Sequence, residues 1–236
     1  MGLRAGQVIR QGLAQLRQTV LQARRQGNVW RFLIAHMIYA DGLAALFAFG
    51  GIYGAGLFGW ETMTLGLFGI ILIVFAAMGA FAGGWADDRF GSRRTILVSV
   101  AGLAVALLGA LSIQRDSILF GIPFSPPLPG GAAFSSTPER AYLFCGVLMG
   151  IFGGPAQAAS RTLLARLAPK DMTGEFYGLF AMSGKATSFL APLLIGLTTG
   201  VLHSQRAGMV VILMFLACGF AVLWRVRETG QLRGDD

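Results

Sequence analysis

Charged residues are few in this chain. They make up 13% of its 236 residues, roughly half the share of a typical soluble domain, which is too little to keep a body of this size in water. Cysteine is scarcer still. Cys145 and Cys218 are the whole complement; both fall inside apolar runs, in no CxxC pair and beside no histidine. They read as small buried hydrophobes, which excludes a disulfide framework and a thiolate metal site. GxSxG, HExxH and Cys/His clusters are absent, and the usual hydrolase and zinc chemistries go with them. Ser183-Gly184-Lys185 has a superficial likeness to a phosphate-binding loop, but Gly178 stands one residue too far away. Ala186 also fills the place of the required Ser or Thr, and the surroundings are apolar. The expectation is a protein that is not an enzyme and has no cofactor.

Hydrophobic residues are present in excess, at 55%. They gather into runs of about twenty, long enough to cross roughly 30 Å of hydrocarbon at 1.5 Å per residue. Six such runs lie at about 30–57, 63–86, 95–113, 140–158, 175–198 and 207–225. A strand-built pore would need short alternating segments, whereas Thr95 to Ile113 is apolar throughout. The fold class is therefore an all-α membrane protein of six transmembrane helices.

Basic residues set the orientation, because cytoplasmic loops near the spans retain positive charge. Arg4, Arg10, Arg17, Arg24, Arg25 and Arg31 precede or enter the first span. Arg89, Arg93 and Arg94 follow the second, Arg161, Arg166 and Lys170 the fourth, and Arg225, Arg227 and Arg233 the last. The opposite connections hold Arg115, Arg140 and Arg206 alone. Both termini are expected in the cytoplasm, and the compartment reads as a bacterial inner membrane. The net charge of +8 is thus a topology signal, and no nucleic-acid partner is expected.

Three regions follow. Residues 1–28 form a basic amphipathic cytoplasmic leader suited to the bilayer surface, either a connector from an earlier membrane domain or a lone anchor. Residues 29–226 hold the spans, and 227–236 a cytoplasmic tail. The long connection at 114–139 carries Pro123, Pro126, Pro127, Pro129, Gly130 and Gly131, which keep it from being helical. It divides the spans three and three, so the second triplet enters with opposite polarity, as in an inverted repeat.

The sharpest local pattern is the eleven-residue stretch Gly84-Trp85-Ala86-Asp87-Asp88-Arg89-Phe90-Gly91-Ser92-Arg93-Arg94, read as a short cytoplasmic turn. Gly84 would allow close helix approach, Gly91 a reversal at positive φ, and Asp88 charge-assisted hydrogen bonds from arginines. It resembles the signature loop of the major facilitator superfamily, G-x-x-x-D-R-x-G-R-R, matched at Gly84, Asp88, Arg89, Gly91, Arg93 and Arg94. Ser92 takes the first Arg place and shifts the basic pair by one. Further likeness runs through Met37 to Gly42, Gly154 to Arg161 and Gly178 to Thr187. Together these resemble the C-terminal six helices of the autophagy-related vacuolar effluxer-like branch.

The resemblance implies half of a twelve-helix transporter, moving a small-molecule substrate by alternating access, with amino acids a candidate class. The lipid bilayer, and an N-terminal six-helix half or a second copy, are its implied partners. A membrane structural or interaction protein without transport stands as the alternative.

Asp41 and Lys185 are the residues hardest to place in a bilayer, since a charge at membrane depth costs several kcal/mol unless paired or hydrated. Each lies about 15 Å along its span by helical rise. An ion pair, a proton-linked carboxylate, or a purely structural pair would each account for them. Tyr39, His36 and Gln157 are candidates to line a polar path, with an interfacial histidine and a helix-satisfying glutamine as the bland alternatives. Gly79 and Gly83, and Gly146 and Gly150, have the small-xxx-small spacing of close helix crossings.

Overall fold

The computed structural model describes residues 17–125 and 132–227. The leader's Arg4 and Arg10, the tail's Arg233, and Pro126, Pro127, Pro129, Gly130 and Gly131 of the long connection lie outside the described residues. Residues 17–25 are helical. Helix α1 (Gly27–Phe58) then runs until Gly59, whose φ of 74° turns the chain while its N–H bonds the Ala55 carbonyl. Helix α2 (Thr62–Phe90) and helix α3 (Ser92–Leu111) complete the first triplet.

A two-residue antiparallel ladder, β1 (Ser117–Ile118) with β2 (Ile122–Pro123), opens the long connection. Helix α4 (Thr137–Leu167) starts at a capping box, in which Ser136 and Glu139 exchange side-chain and backbone hydrogen bonds. After a short 3₁₀ turn come helix α5 (Thr173–Ala186), helix α6 (Leu190–Leu202) and helix α7 (Gln205–Trp224).

With α5 and α6 taken together, six segments among the described residues are long and apolar enough to cross a membrane, at the places the sequence marks. The fifth is not one continuous helix. The reason is Pro192, the third residue of α6: it has no N–H for the Ser188 carbonyl four residues back, and its ring crowds that carbonyl. The backbone answers with tight turns, from the Ser188 N–H to the Lys185 carbonyl and from the Leu190 N–H to the Thr187 carbonyl.

Packing follows the division into triplets. Helix α4 is flanked by α2 and α3, α1 is flanked by α7 and α5, and α3 meets α7. Exchanging α1–α3 with α4–α7 maps these contacts onto one another, which is the pseudo-two-fold pattern of an inverted repeat. The α2–α4 crossing depends on glycine. A Cβ built on Gly79 falls 2.1 Å from the Ile151 carbonyl oxygen, and one on Gly154 falls 2.1 Å from that of Ala76, so backbone lies directly on backbone.

Two segments are left uncovered. Helix α2 turns Leu67, Ile70, Ile73, Met78 and Phe81 outward, and α5–α6 does the same with Met182, Phe189, Leu193, Leu197 and Val201. Cys145 is buried as expected, but Cys218 is exposed. It sits on the outer side of α7, where a thiol behaves as one more apolar group facing lipid.

Candidate functional site

Two polar centres emerge, one at the α2–α3 corner and one in mid-span. At the corner, the expected turn over residues 84–94 is in fact helix on both sides of Gly91, which alone breaks the chain at φ 87°. The carboxylate expected to act there was Asp88. The structure corrects this by one residue: Asp88 is exposed and Asp87 is buried. Helical phase is the cause, for Gly79, Gly83 and Asp87 recur every fourth residue on the face that meets α4.

The same phase corrects Gly84, whose built Cβ meets nothing within 4 Å, while Gly83 packs on Pro155. Asp87 Oδ1 accepts from the Ser92 hydroxyl at 2.5 Å and lies 3.4 Å from Arg166 Nη1 at the end of α4. The serine that departs from the family's arginine thus bonds the buried carboxylate. Arg93 donates to the Trp224 carbonyl at 2.6 Å and its guanidinium lies 5.8 Å from the Trp224 ring, which fastens α3 to the end of α7. Arg89 lies over the rings of Trp85 and Phe90, and Arg94 is exposed.

The same end of the molecule is tied further. Thr19 donates to Glu175 at 2.5 Å, joining the leading helical stretch to the first turn of α5. The Arg227 N–H donates to Asn28 Oδ1 at 2.8 Å, and Asn28 Nδ2 returns a bond to the Arg227 carbonyl.

In mid-span, Asp41 of α1 is 2% exposed, yet neither of its oxygens has a hydrogen-bond partner. Lys185 is not its partner. The lysine is exposed in the last turn of α5, and among the described residues the two form no ion pair. Thr187, at the α5–α6 break, is the side chain whose hydroxyl reaches toward the Asp41 carboxylate, and that hydroxyl is likewise buried, with no partner beyond this approach. A buried carboxylate without partners is costly, by about several kcal/mol when charged.

Tyr39 does not face that space. It is buried with its hydroxyl 2.6 Å from Ser160 Oγ, and Ser160 in turn donates to the Ala156 carbonyl. His36 stacks on Phe180 at 3.9 Å between ring centres and lies 3.4 Å from Ser183 Oγ, so it belongs to the α1–α5 contact. Gln157 is exposed on α4. Tyr39 and His36 therefore join helices, while Gln157 and Lys185 present polar groups that this chain leaves uncovered.

Sequence reasoning missed Thr187 and Pro192, although a proline inside an apolar run, five residues after a Thr, signals a broken span. It also missed Glu139, buried at the far end, where Trp60 Nε1 donates to it at 2.8 Å. A cavity of about 610 Å³ opens at that far end among Tyr53, Gln114, Arg115, Asp116, Gln205 and Arg206. It holds none of the candidate site residues marked from the sequence, although Arg115 and Arg206 of the opposite connections line it.

Comparison with known proteins places these features. Residues 3–233 match the family described as vacuole effluxer Atg22-like. Autophagy-related protein 22 of Coccidioides immitis is 26% identical over 78% of this chain and 29% of its own length. An uncharacterized MFS-type transporter of Bacillus subtilis, YxiO, is 23% identical over 91% of this chain and 44% of its own. The inward-open xylose transporter XylE from E. coli superposes with a TM-score of 0.62 at 14% identity, over 84% of this chain and 47% of that one. This chain thus spans less than half the length of these relatives.

Proposed function

Because this chain belongs to the vacuole effluxer Atg22-like family, we propose that it forms the C-terminal half of a major-facilitator-type secondary transporter that exports a small solute. Amino acids are the first substrate class to test, and protons the coupling ion. The other half is an N-terminal six-helix unit or a second copy, and the assembly sits in a bacterial inner membrane with both ends in the cytoplasm. The observation that carries this reading is Asp41, an acid kept buried in mid-span with both oxygens bare.

In this reading Asp41 takes up and releases the proton as the surrounding space changes hydration. Gln157 and Lys185 face the solute path between the halves, where Lys185 provides a cation for a carboxylate-bearing solute. Tyr39 and Ser160 hold α1 to α4 so that the two move as one body. The Asp87, Ser92 and Arg166 cluster, with Arg93 on Trp224, braces the cytoplasmic end in one arrangement and opens in the other.

Proteoliposomes holding this chain with its co-expressed partner, loaded with labelled amino acids, test it under an imposed pH gradient. Gradient-driven efflux is expected from the native protein and is lost on Asp41→Asn in protein that still inserts and purifies intact. Absence of flux from every partnered form would favour a structural or interaction role instead.

A further inference from the structure

Proton exchange needs a single acceptor, and the mid-span centre offers more. Asp41 contributes two oxygens and Thr187 a third, all buried and with no hydrogen-bond partner outside this pair, the Thr187 hydroxyl being the group that reaches the carboxylate where α5 packs on α1. A group of oxygens with no nitrogen among them suits a hard cation. Backbone adds to it. Helix α5 ends at Ala186, so the negative pole of its aligned carbonyls terminates beside Thr187. The tight turns at 185–190 replace the ordinary ladder there, as at ion sites built on discontinuous helices.

We infer that Asp41, Thr187 and the carbonyl end of α5 form a binding site for a small monovalent cation, sodium, created by the helix break that Pro192 imposes. Charge decides the valence. The site carries one formal negative charge, so a monovalent ion leaves it neutral inside the membrane, whereas a divalent ion would leave it cationic at high cost. The nearby titratable groups do not fill it: Lys185 is turned outward, and His36 is turned to Ser183 and Phe180. The inference rests on Asp41 being the coupling acid, and it makes sodium and the proton alternative occupants of one site.

Equilibrium binding of radioactive sodium to the purified full chain, with choline as the control salt, tests it without any need for solute flux. The native chain is expected to bind sodium saturably, with competition from unlabelled sodium and none from choline. Outer partners of a metal site alone change affinity by about 10–100-fold, so Asp41→Asn and Thr187→Val should each weaken binding by at least about tenfold. Thr187→Ser, which keeps the oxygen, should bind as the native chain does and guards against a loss caused by misfolding.

No saturable binding by the native chain, or Thr187→Val binding as tightly as native, overturns the site. Proton-driven solute efflux from a native chain that shows no saturable sodium binding would defeat the site and leave the transport reading standing. Sodium binding without efflux in any partnered form would do the reverse.

Discussion

Asp87 and Asp88 are chemically identical neighbours, and the difference between them is entirely one of helical phase. Asp87 shares its face with Gly79 and Gly83 and is buried against α4, where Ser92 and Arg166 meet it; Asp88, one residue later, is exposed. Removing a buried acceptor strands its donors at about 1–3 kcal/mol, while an exposed acid away from such features changes stability by about 0.5 kcal/mol or less. Asp87→Ala should therefore lower the midpoint of thermal unfolding in detergent clearly, and Asp88→Ala should leave it nearly in place. Equal effects would show that the cluster does not brace the corner. The motif itself was legible in the sequence, down to the positive φ of Gly91. Which carboxylate it uses was not, because a loop reading assigns no phase; only an α2 that continues to Phe90 brings Asp87 inward.

Helices were the most legible level, since each apolar run of about twenty residues has one economical fate in a bilayer. Hydropathy averages over its window, however, and so it passed over the break in the fifth span. One proline carries that signal. Pro192→Ala restores the N–H for the Ser188 carbonyl and removes the ring, so the segment 187–192 is expected to close into continuous helix. Slower amide exchange across those residues, with unchanged thermal stability, is the result to look for, accompanied by weaker sodium binding at Asp41. Unchanged exchange would place the cause of the break elsewhere. The helix crossings make a second prediction at this scale. Gly154→Val introduces side-chain atoms where a single Cβ already falls 2.1 Å from the Ala76 carbonyl. Overpacking of this kind costs about 1–3 kcal/mol, and reduced yield of folded protein should accompany a lower unfolding midpoint. Expectation and structure agree at Gly79, Gly83, Gly146 and Gly150, each of which packs directly on the facing helix, because small-xxx-small spacing encodes close approach directly. They part over Lys185 and Cys218, where the question is which side of a helix is covered, and that depends on neighbours many residues away.

Coverage is a property of the whole molecule, and it is uneven. The apolar windows of α1, α3 and α4 are half buried or more, at 56%, 56% and 50%, while those of α2 and the α5–α6 segment are 17% and 11% buried. The two least covered segments are also the ones that the exchange of triplets maps onto each other. Lipid satisfies exposed leucine and phenylalanine as well as protein does, but it does not satisfy Lys185, an exposed cation at span depth. A six-helix partner lying across α2 and α5–α6 would cover both segments and enclose Lys185 and Gln157 in a polar space. Photoreactive side chains placed one at a time separate the possibilities. At Ile73 on α2 and Leu197 on α6, both exposed, illumination in membranes should yield a protein adduct, its mass distinguishing an N-terminal six-helix half from a second copy. At Val98 on α3 and Met214 on α7, exposed to a similar degree, it should yield lipid adducts only. Protein adducts at Val98 and Met214, or lipid adducts at all four positions, would move the interface or remove it, and Lys185 would then need a different explanation for standing uncovered in the membrane.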